Sequence, residues 1–421
     1  MKIVILGSVA LPVPPPMQGG TERMAWFQAR GLADLGHEVT LVAASGSKKS
    51  DKYKLVEIGG GDTVSGSANA LNSKFEIRNS KQIQNPKSKI QNLSEVTEGS
   101  RKMRKEAVYW AEVIGWLYDN QDSFDVILNN MRGAEAVFLP VAKQLGKPIV
   151  NVMHLPIFDK LAGLFDKYKT SVVTISDAQR KEFPDLNYIQ TVYNGIEIDR
   201  FNLVEAPGDE YLLMMGSFAP HKNQAGGIEV AKKLGMKIIM AGKIGNKEYY
   251  KKEIAPHVDD ERVVKIGEIS FEEKVKLLGN ARILLFPILW EEPFGLVMIE
   301  AMACGTPVVA YSRGAIPEVV KDGVTGYIIE DDGRNFIFQD ARKPLSPSAG
   351  GFGKTSKHIV YSNNKKEENN WIIKKTGAEG LVEAVEKIGE IDRKACRKHV
   401  EDNFTDKKMV ESLDVVLKRV L

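Results

Sequence analysis

Short apolar strands that alternate with helical segments, in two successive series, constrain this chain more than any other feature. KIVIL passes through a glycine-containing loop into GGTERMAWFQARGLADLGHEVTLVAA, which reads as strand, loop, helix and second strand, with the helix ending at Gly36 and the strand starting by Glu38. So short a connection is typical of parallel α/β units. Strands are expected at 125–129, 148–152, 171–175 and 188–193, with a helix over 132–145. After Asn194-Gly195 the chain turns polar, and the same alternation restarts with YLLMM, KIIMA, RVVKI, RILLF, TPVVA and GYIIE. Two α/β domains of similar size follow, residues 1–200 and 201–400. A terminal helix at 401–421 is free to pack on either domain, with the first as its expected partner. A ligand cleft belongs between the domains, at the carboxyl ends of the parallel strands.

Two stretches break the pattern. Residues 62–100 are rich in Ser, Asn, Gln and Lys, and 332–375 contain KPLSPSAGG and SNNKKEENN. Both read as insertions with too few large apolar residues to build a core, and no chemistry is assigned to them. The 58 Lys and Arg balance 55 Asp and Glu, so net charge gives no argument for a nucleic-acid partner. Two cysteines, Cys304 and Cys396, allow at most one disulfide and no multi-cysteine metal site, which suits a reducing compartment. The apolar run Ile3–Val13 is broken by Gly7 and meets three prolines, so a buried strand is expected there rather than a leader peptide. No run approaches the ~18 apolar residues of a membrane span, and a cytoplasmic location is expected.

The most informative run is EEPFGLVMIEAMACGTPVVA, residues 291–310. A helix is expected to open at Pro293-Phe294-Gly295, its free amides facing the strand ends as an anion site suited to a diphosphate. Glu292 precedes that start and Glu300 follows eight residues later, about 12 Å of helical rise. A nucleotide-sugar laid across the helix start would put its sugar near Glu292 and its ribose near Glu300, whose carboxylate can accept both vicinal hydroxyls. The alternative is an ordinary helix with one carboxylate favouring the dipole and another solvated.

With Glu292-x7-Glu300, Phe294-Gly295, the following GTPVV, then GAIPEVV and DGVTG, the chain resembles the retaining glycosyltransferases of family 4; GGTER, YNGIEIDRF and LLMMGSFAPHKNQ extend the likeness over nearly the whole chain outside the two insertions. The resemblance implies the GT-B fold, two facing Rossmann-like domains. It assigns Glu300 to the donor ribose, and Glu292 with the amides of Phe294, Gly295 and Leu296 to the transferred sugar and diphosphate. Lys222 matches the family's diphosphate lysine, able to compensate charge on the leaving group. Ser217 stands where a second phosphate-binding arginine is common, which leaves Lys243, helix amides or another base to substitute. Gly19 and Gly20 would let backbone approach the diphosphate or acceptor. His154 falls where the family places a histidine beside the transferred sugar. Glu22 is a first-turn dipole partner or an acceptor ligand, and Asn194-Gly195 shape the hinge.

SAGGFGKT at 348–355 lacks the first glycine of a P-loop and follows no strand, no GxGxxG follows the first strand, and the six histidines show no metal-ligand spacing. The expectation is a metal-independent, retaining transfer of a hexose from a nucleoside diphosphate sugar, used as co-substrate with no cofactor, to a glycan, lipid or small-molecule acceptor. A nucleotide-sugar-binding protein without catalysis, a sugar synthase and an epimerase are the alternatives. A lipid acceptor would bring the protein to the inner membrane surface, with Met24, Trp26 and Phe27 as contacts unless they form a buried helix face.

Overall fold

In the computed structural model, which describes residues 1–7, 11–15, 19–59, 90–208, 210–333 and 371–421, the first half forms a seven-stranded sheet. Its strands are β1 (Lys2–Leu6), β2 (Glu38–Ala44), β3 (Lys54–Ile58), β4 (Val126–Asn129), β5 (Ile149–Met153), β6 (Ser171–Thr174) and β7 (Tyr188–Thr191). They pair in parallel in the order β3-β2-β1-β4-β5-β6-β7. Helices α1 (Gly20–Asp34), α2 (Ile90–Asp119), α3 (Leu139–Leu145) and α4 (Asp159–Tyr168) lie between them in sequence. The central strands are mostly apolar because both faces are covered, and the buried Asn129 and Asn151 satisfy each other at 2.8 Å. Ile3, Ile5, Val126 and Leu128 enter one core cluster; Val4, Leu6 and Ile127 enter another.

The second half repeats the plan. Strands β8 (Tyr211–Met215), β9 (Lys237–Ala241), β10 (Val263–Ile266), β11 (Ile283–Phe286), β12 (Val308–Tyr311) and β13 (Gly326–Ile329) form a parallel sheet in the order β10-β9-β8-β11-β12-β13. They are interleaved with α5 (Gln224–Leu234), α6 (Lys247–Tyr249), α7 (Phe271–Asn280), α8 (Leu296–Ala303) and α9 (Ile316–Val319), and followed by α10 (Gly377–Glu386), α11 (Arg393–Asn403) and α12 (Asp406–Val420). Strand order reverses between β1 and β4 and between β8 and β11, and the loops after these strands build a ligand crevice in such sheets.

Several expectations need correction. The helix expected over 132–145 starts only at Leu139, because Gly133 adopts a left-handed φ of 80° and Pro140 suits a helix start. Of the stretch read as the first insertion, 90–100 is the opening of α2, and residues 60–89 lie outside the described chain, as do 334–370 of the second. The return of that second stretch is tied down: Ile373 is buried, and Trp371 Nε1 donates to Glu330 Oε1 at 2.9 Å. Met24 and Phe27 are core residues, so neither is free to meet a membrane, and no helix among the described residues is long and apolar enough to cross one. Cys304 and Cys396 are free and buried, and burial pushes both thiols up to about 12.

The terminal helix lies on the first domain. α12 packs along α1, with His37 Nε2 2.8 Å from Asp414 Oδ1. A Cβ at Gly31 would lie 2.5 Å from Val410 Cγ2, so the absence of a side chain sets this approach. Gly31→Ala should therefore destabilise by about 1–3 kcal/mol in denaturant unfolding, as expected for overpacking, and Val410→Ala in the same chain should recover part of that loss.

Candidate functional site

Two glycine-opened helices, one from each domain, meet across the cleft. Gly19 caps α1, and Gly295, at a left-handed φ of 85°, caps α8. α8 begins at Leu296 rather than at Pro293, so Glu292 sits on the loop before the helix and the assumed helical rise to Glu300 does not apply. A Cβ on Gly20 would be only 3.2 Å from Leu296 Cδ1, so the two first turns nearly touch, and their free amides give the cleft partial positive charge from both sides. A cavity of about 440 Å³ runs along this contact, lined by Gly19, Gly20 and Arg23 from the first domain and by Gly216, Phe271, Lys274, Leu296 and Glu300 from the second.

The candidate carboxylates already hold partners. Glu300 Oε1 is 2.6 Å from Lys274 Nζ, a lysine one turn into α7. Glu292 Oε2 takes Lys222 Nζ at 2.9 Å and the Trp290 indole N–H at 3.0 Å. Lys222 is thus no solvated helix-start lysine: it is largely buried, with its ammonium 5.1 Å from the centre of the Trp290 ring. A second cavity, about 430 Å³, opens beside Glu291, Glu292 and Pro293 and is closed on the first-domain side by Ile157, Gln179 and Glu182.

Phe294 has a structural duty besides its amide. It is buried against Tyr193 (ring centres 6.2 Å apart) and Phe404 (5.9 Å), which ties the loop before α8 to the chain crossing between the domains. That crossing is tight: a Cβ on Gly195 would lie 2.2 Å from the Thr405 carbonyl oxygen, and Ile196 exchanges backbone hydrogen bonds with Phe404 and Asp406. Asn194 is buried alongside. Glu318 forms a second tie, accepting the N–H groups of Asp177 and Ala178 at 2.7 Å and the Tyr193 hydroxyl at 3.1 Å.

Ser217 and Lys243 are brought side by side, since Phe218 N–H donates to the Lys243 carbonyl at 2.8 Å. Gly242 permits this: its Cβ would be 2.1 Å from the Gly216 carbonyl oxygen. The Lys243 side chain is exposed, and of this pair of loops it is Gly216 that lines the first cavity. His154 lines neither cavity. Its Nε2 donates to Asn130 Oδ1 at 2.9 Å, and Asn130 passes the chain on to Gln28 Oε1 at 2.7 Å. Glu22 is buried, and among the described residues its Oε1 has no hydrogen-bond partner. Sequence reasoning missed Arg23, Lys274, Trp290 and Glu318. Lys274 was within reach, because Ser270 and Glu273 form a capping box that fixes the start of α7 and hence its inward face.

Residues 195–335 match the family described as glycosyl transferases group 1, a span that holds Lys222, Glu292 and Glu300. Over that span the chain is similar to this family. It is 27% identical over 255 residues to an uncharacterized 41.2 kDa protein in the cps region of Klebsiella pneumoniae, covering 58% of this chain and 62% of that one. It is 30% identical over 162 residues to D-inositol 3-phosphate glycosyltransferase of Mycolicibacterium smegmatis, covering 35% and 37%. The chain thus spans less than two thirds of the length of these relatives. The structure of Anabaena HepE in complex with UDP and glucose superposes with a TM-score of 0.63 at 16% identity, over 99% of both chains, which shows the shared GT-B fold.

Burial, with Arg132 nearby, pulls the His154 imidazole down to about 3. Between that value and the ordinary 6.5 the unfolded chain binds the extra proton, so this contribution to stability is complete above about pH 6.5 and is lost as pH falls toward 3, by up to about 1.4 kcal/mol per pH unit. Denaturant titrations across that window should show the slope, and His154→Gln should flatten it.

Proposed function

We propose that the protein is a retaining glycosyltransferase, resembling family 4, that transfers a hexose from a nucleoside diphosphate sugar to a carbohydrate, lipid or small-molecule acceptor. The observation that carries this is the convergence of the α1 and α8 first turns on one cavity that also holds Glu300, with the Lys222–Glu292 pair joining the turn before α5 to the loop before α8. The amides of Leu296 and its neighbours suit the diphosphate, Glu300 the ribose hydroxyls, and Glu292 the hexose. HepE, a neighbour in fold, was crystallised with UDP and glucose, which supports a donor of this class.

In this reading Lys222 exchanges part of its pairing with Glu292 for the departing diphosphate, so its interaction strengthens as charge develops there. Glu292, held by Trp290, stays in place to accept a hydroxyl of the sugar. Charge compensation is assigned to Lys222 and the helix amides, without a metal. Transfer proceeds on one face of the sugar, with a departing phosphate oxygen taking the acceptor proton. The second cavity, beside Glu292 and bounded by the first domain, is the place for the acceptor. The protein acts in the cytoplasm, at the inner membrane surface where the acceptor is a lipid.

A thermal-shift panel of nucleotide-sugars followed by donor-hydrolysis assays tests the reading, and binding without any turnover would replace it with a binding protein. Lys222→Ala should lower kcat at saturating donor by about 10²-fold, or about 3 kcal/mol, with the fold intact by circular dichroism. Glu300→Ala should instead raise the donor dissociation constant about tenfold with a smaller effect on kcat, because the ribose does not change charge in the reaction. Calorimetric titration and saturation kinetics separate the two outcomes.

A further inference from the structure

Among the described residues, Arg23 is a cation with no carboxylate of its own. It stands on the first turn of α1, where the helix dipole disfavours positive charge, and it is half-buried in the wall of the first cavity. Two carboxylates face it, and each already serves another cation. Glu300 is paired with Lys274 at 2.6 Å, and Glu197 is shared by Arg30 at 2.8 Å and Arg200 at 3.4 Å. Among the described residues, Arg23 makes no ion pair within 4 Å. Four basic side chains thus share two carboxylates, and Glu272, which also lines the cavity, is exposed. Burial lowers the guanidinium pKa of Arg23, an effect that Glu300 and Glu197 oppose and Arg200 reinforces.

Gly20 and Arg23 are three residues apart on α1 and so share a face, and Gly20 is the residue that abuts Leu296 at the start of α8. The guanidinium therefore enters the cavity from the first domain, beside the amides that the second domain offers to an anion. Resting on the nucleotide-sugar reading above, we propose that Arg23 binds a phosphate of the nucleotide from across the cleft. A donor held by the second domain is then gripped by the first as well, which makes nucleotide binding an interdomain contact. A guanidinium presents several donors in a planar fork suited to phosphate, whereas an ammonium at the same place offers a point charge. Arg23 is in this sense a phosphate ligand that the motif-bearing second domain does not supply.

Isothermal titrations of the full chain with UDP, GDP and ADP, each beside its nucleoside, test the assignment. For the diphosphate that binds wild type best, Arg23→Ala should weaken binding about 10- to 100-fold, as for loss of one charge-assisted hydrogen bond, and Arg23→Lys should recover part of it. Binding of the matching nucleoside should be unchanged, because it has no phosphate to lose. Arg23→Met, which keeps the apolar stem, should behave as Arg23→Ala and carries the same comparison if the alanine variant does not fold. Equal diphosphate affinity in wild type and variants would overturn the role of Arg23 while leaving the nucleotide reading intact. Equal losses for nucleoside and diphosphate would overturn it too, by showing that the arginine only shapes the cavity. If none of the three nucleotides binds wild type, the nucleotide reading itself fails, and this proposal with it.

Discussion

The packing of Phe294 against Tyr193 and Phe404 is the contact on which the geometry of the site depends. Phe294 belongs to the loop that opens α8, Tyr193 to the chain crossing between domains, and Phe404 to the junction of α11 and α12. An aromatic pair adds about 0.5–1.5 kcal/mol beyond the area it buries, and this cluster applies that energy at the pivot of a two-domain molecule. The left-handed turn at Gly295 then aims the first turn of α8 into the cleft. The ties at Gly195 and Glu318 lie beside the same cluster, so the crossing is held by close backbone contact, hydrogen bonds and aromatic packing at once.

Electrostatics in the cleft follow a consistent pattern. Both carboxylates suited to a ligand are held by lysines, Glu292 by Lys222 and Glu300 by Lys274, so neither charge is buried alone. Breaking such a pair by removing one partner costs more than the pair itself contributes, because the survivor is left desolvated. A ligand that brings hydroxyls to the carboxylates and an anion to the lysines can replace both halves of each pair without stranding either. The arrangement therefore leaves neither carboxylate unpaired and can exchange its internal partners for those of a polar, anionic ligand.

Much of this was legible in the residues. The parallel strands were readable because strands covered on both faces are mostly apolar and are separated by helices of recognisable period. Glu292 and Glu300 stood out because they flank a glycine-broken helix start, whereas Lys222 stood out only through the resemblance of its motif. The helix expected over 132–145 failed on local stereochemistry, since a helical pattern in the side chains does not reveal a left-handed glycine. Arg23 was hidden for another reason: an arginine on a first helical turn has no signature until its neighbours across the cleft are known.

The sequence by itself determined the two-domain α/β plan and the loop that carries the candidate carboxylates, because strand and helix periods, turn glycines and short motifs are local properties. Only the tertiary structure decided which charges are already paired, that α12 returns to α1 through the gap left by Gly31, that His154 turns toward Asn130 rather than into either cavity, and that Arg23 has no carboxylate partner among the described residues. Those outcomes depend on distances between residues far apart in the chain. Such distances are set by the packing of two sheets and the crossing between them, and no stretch of sequence encodes them alone.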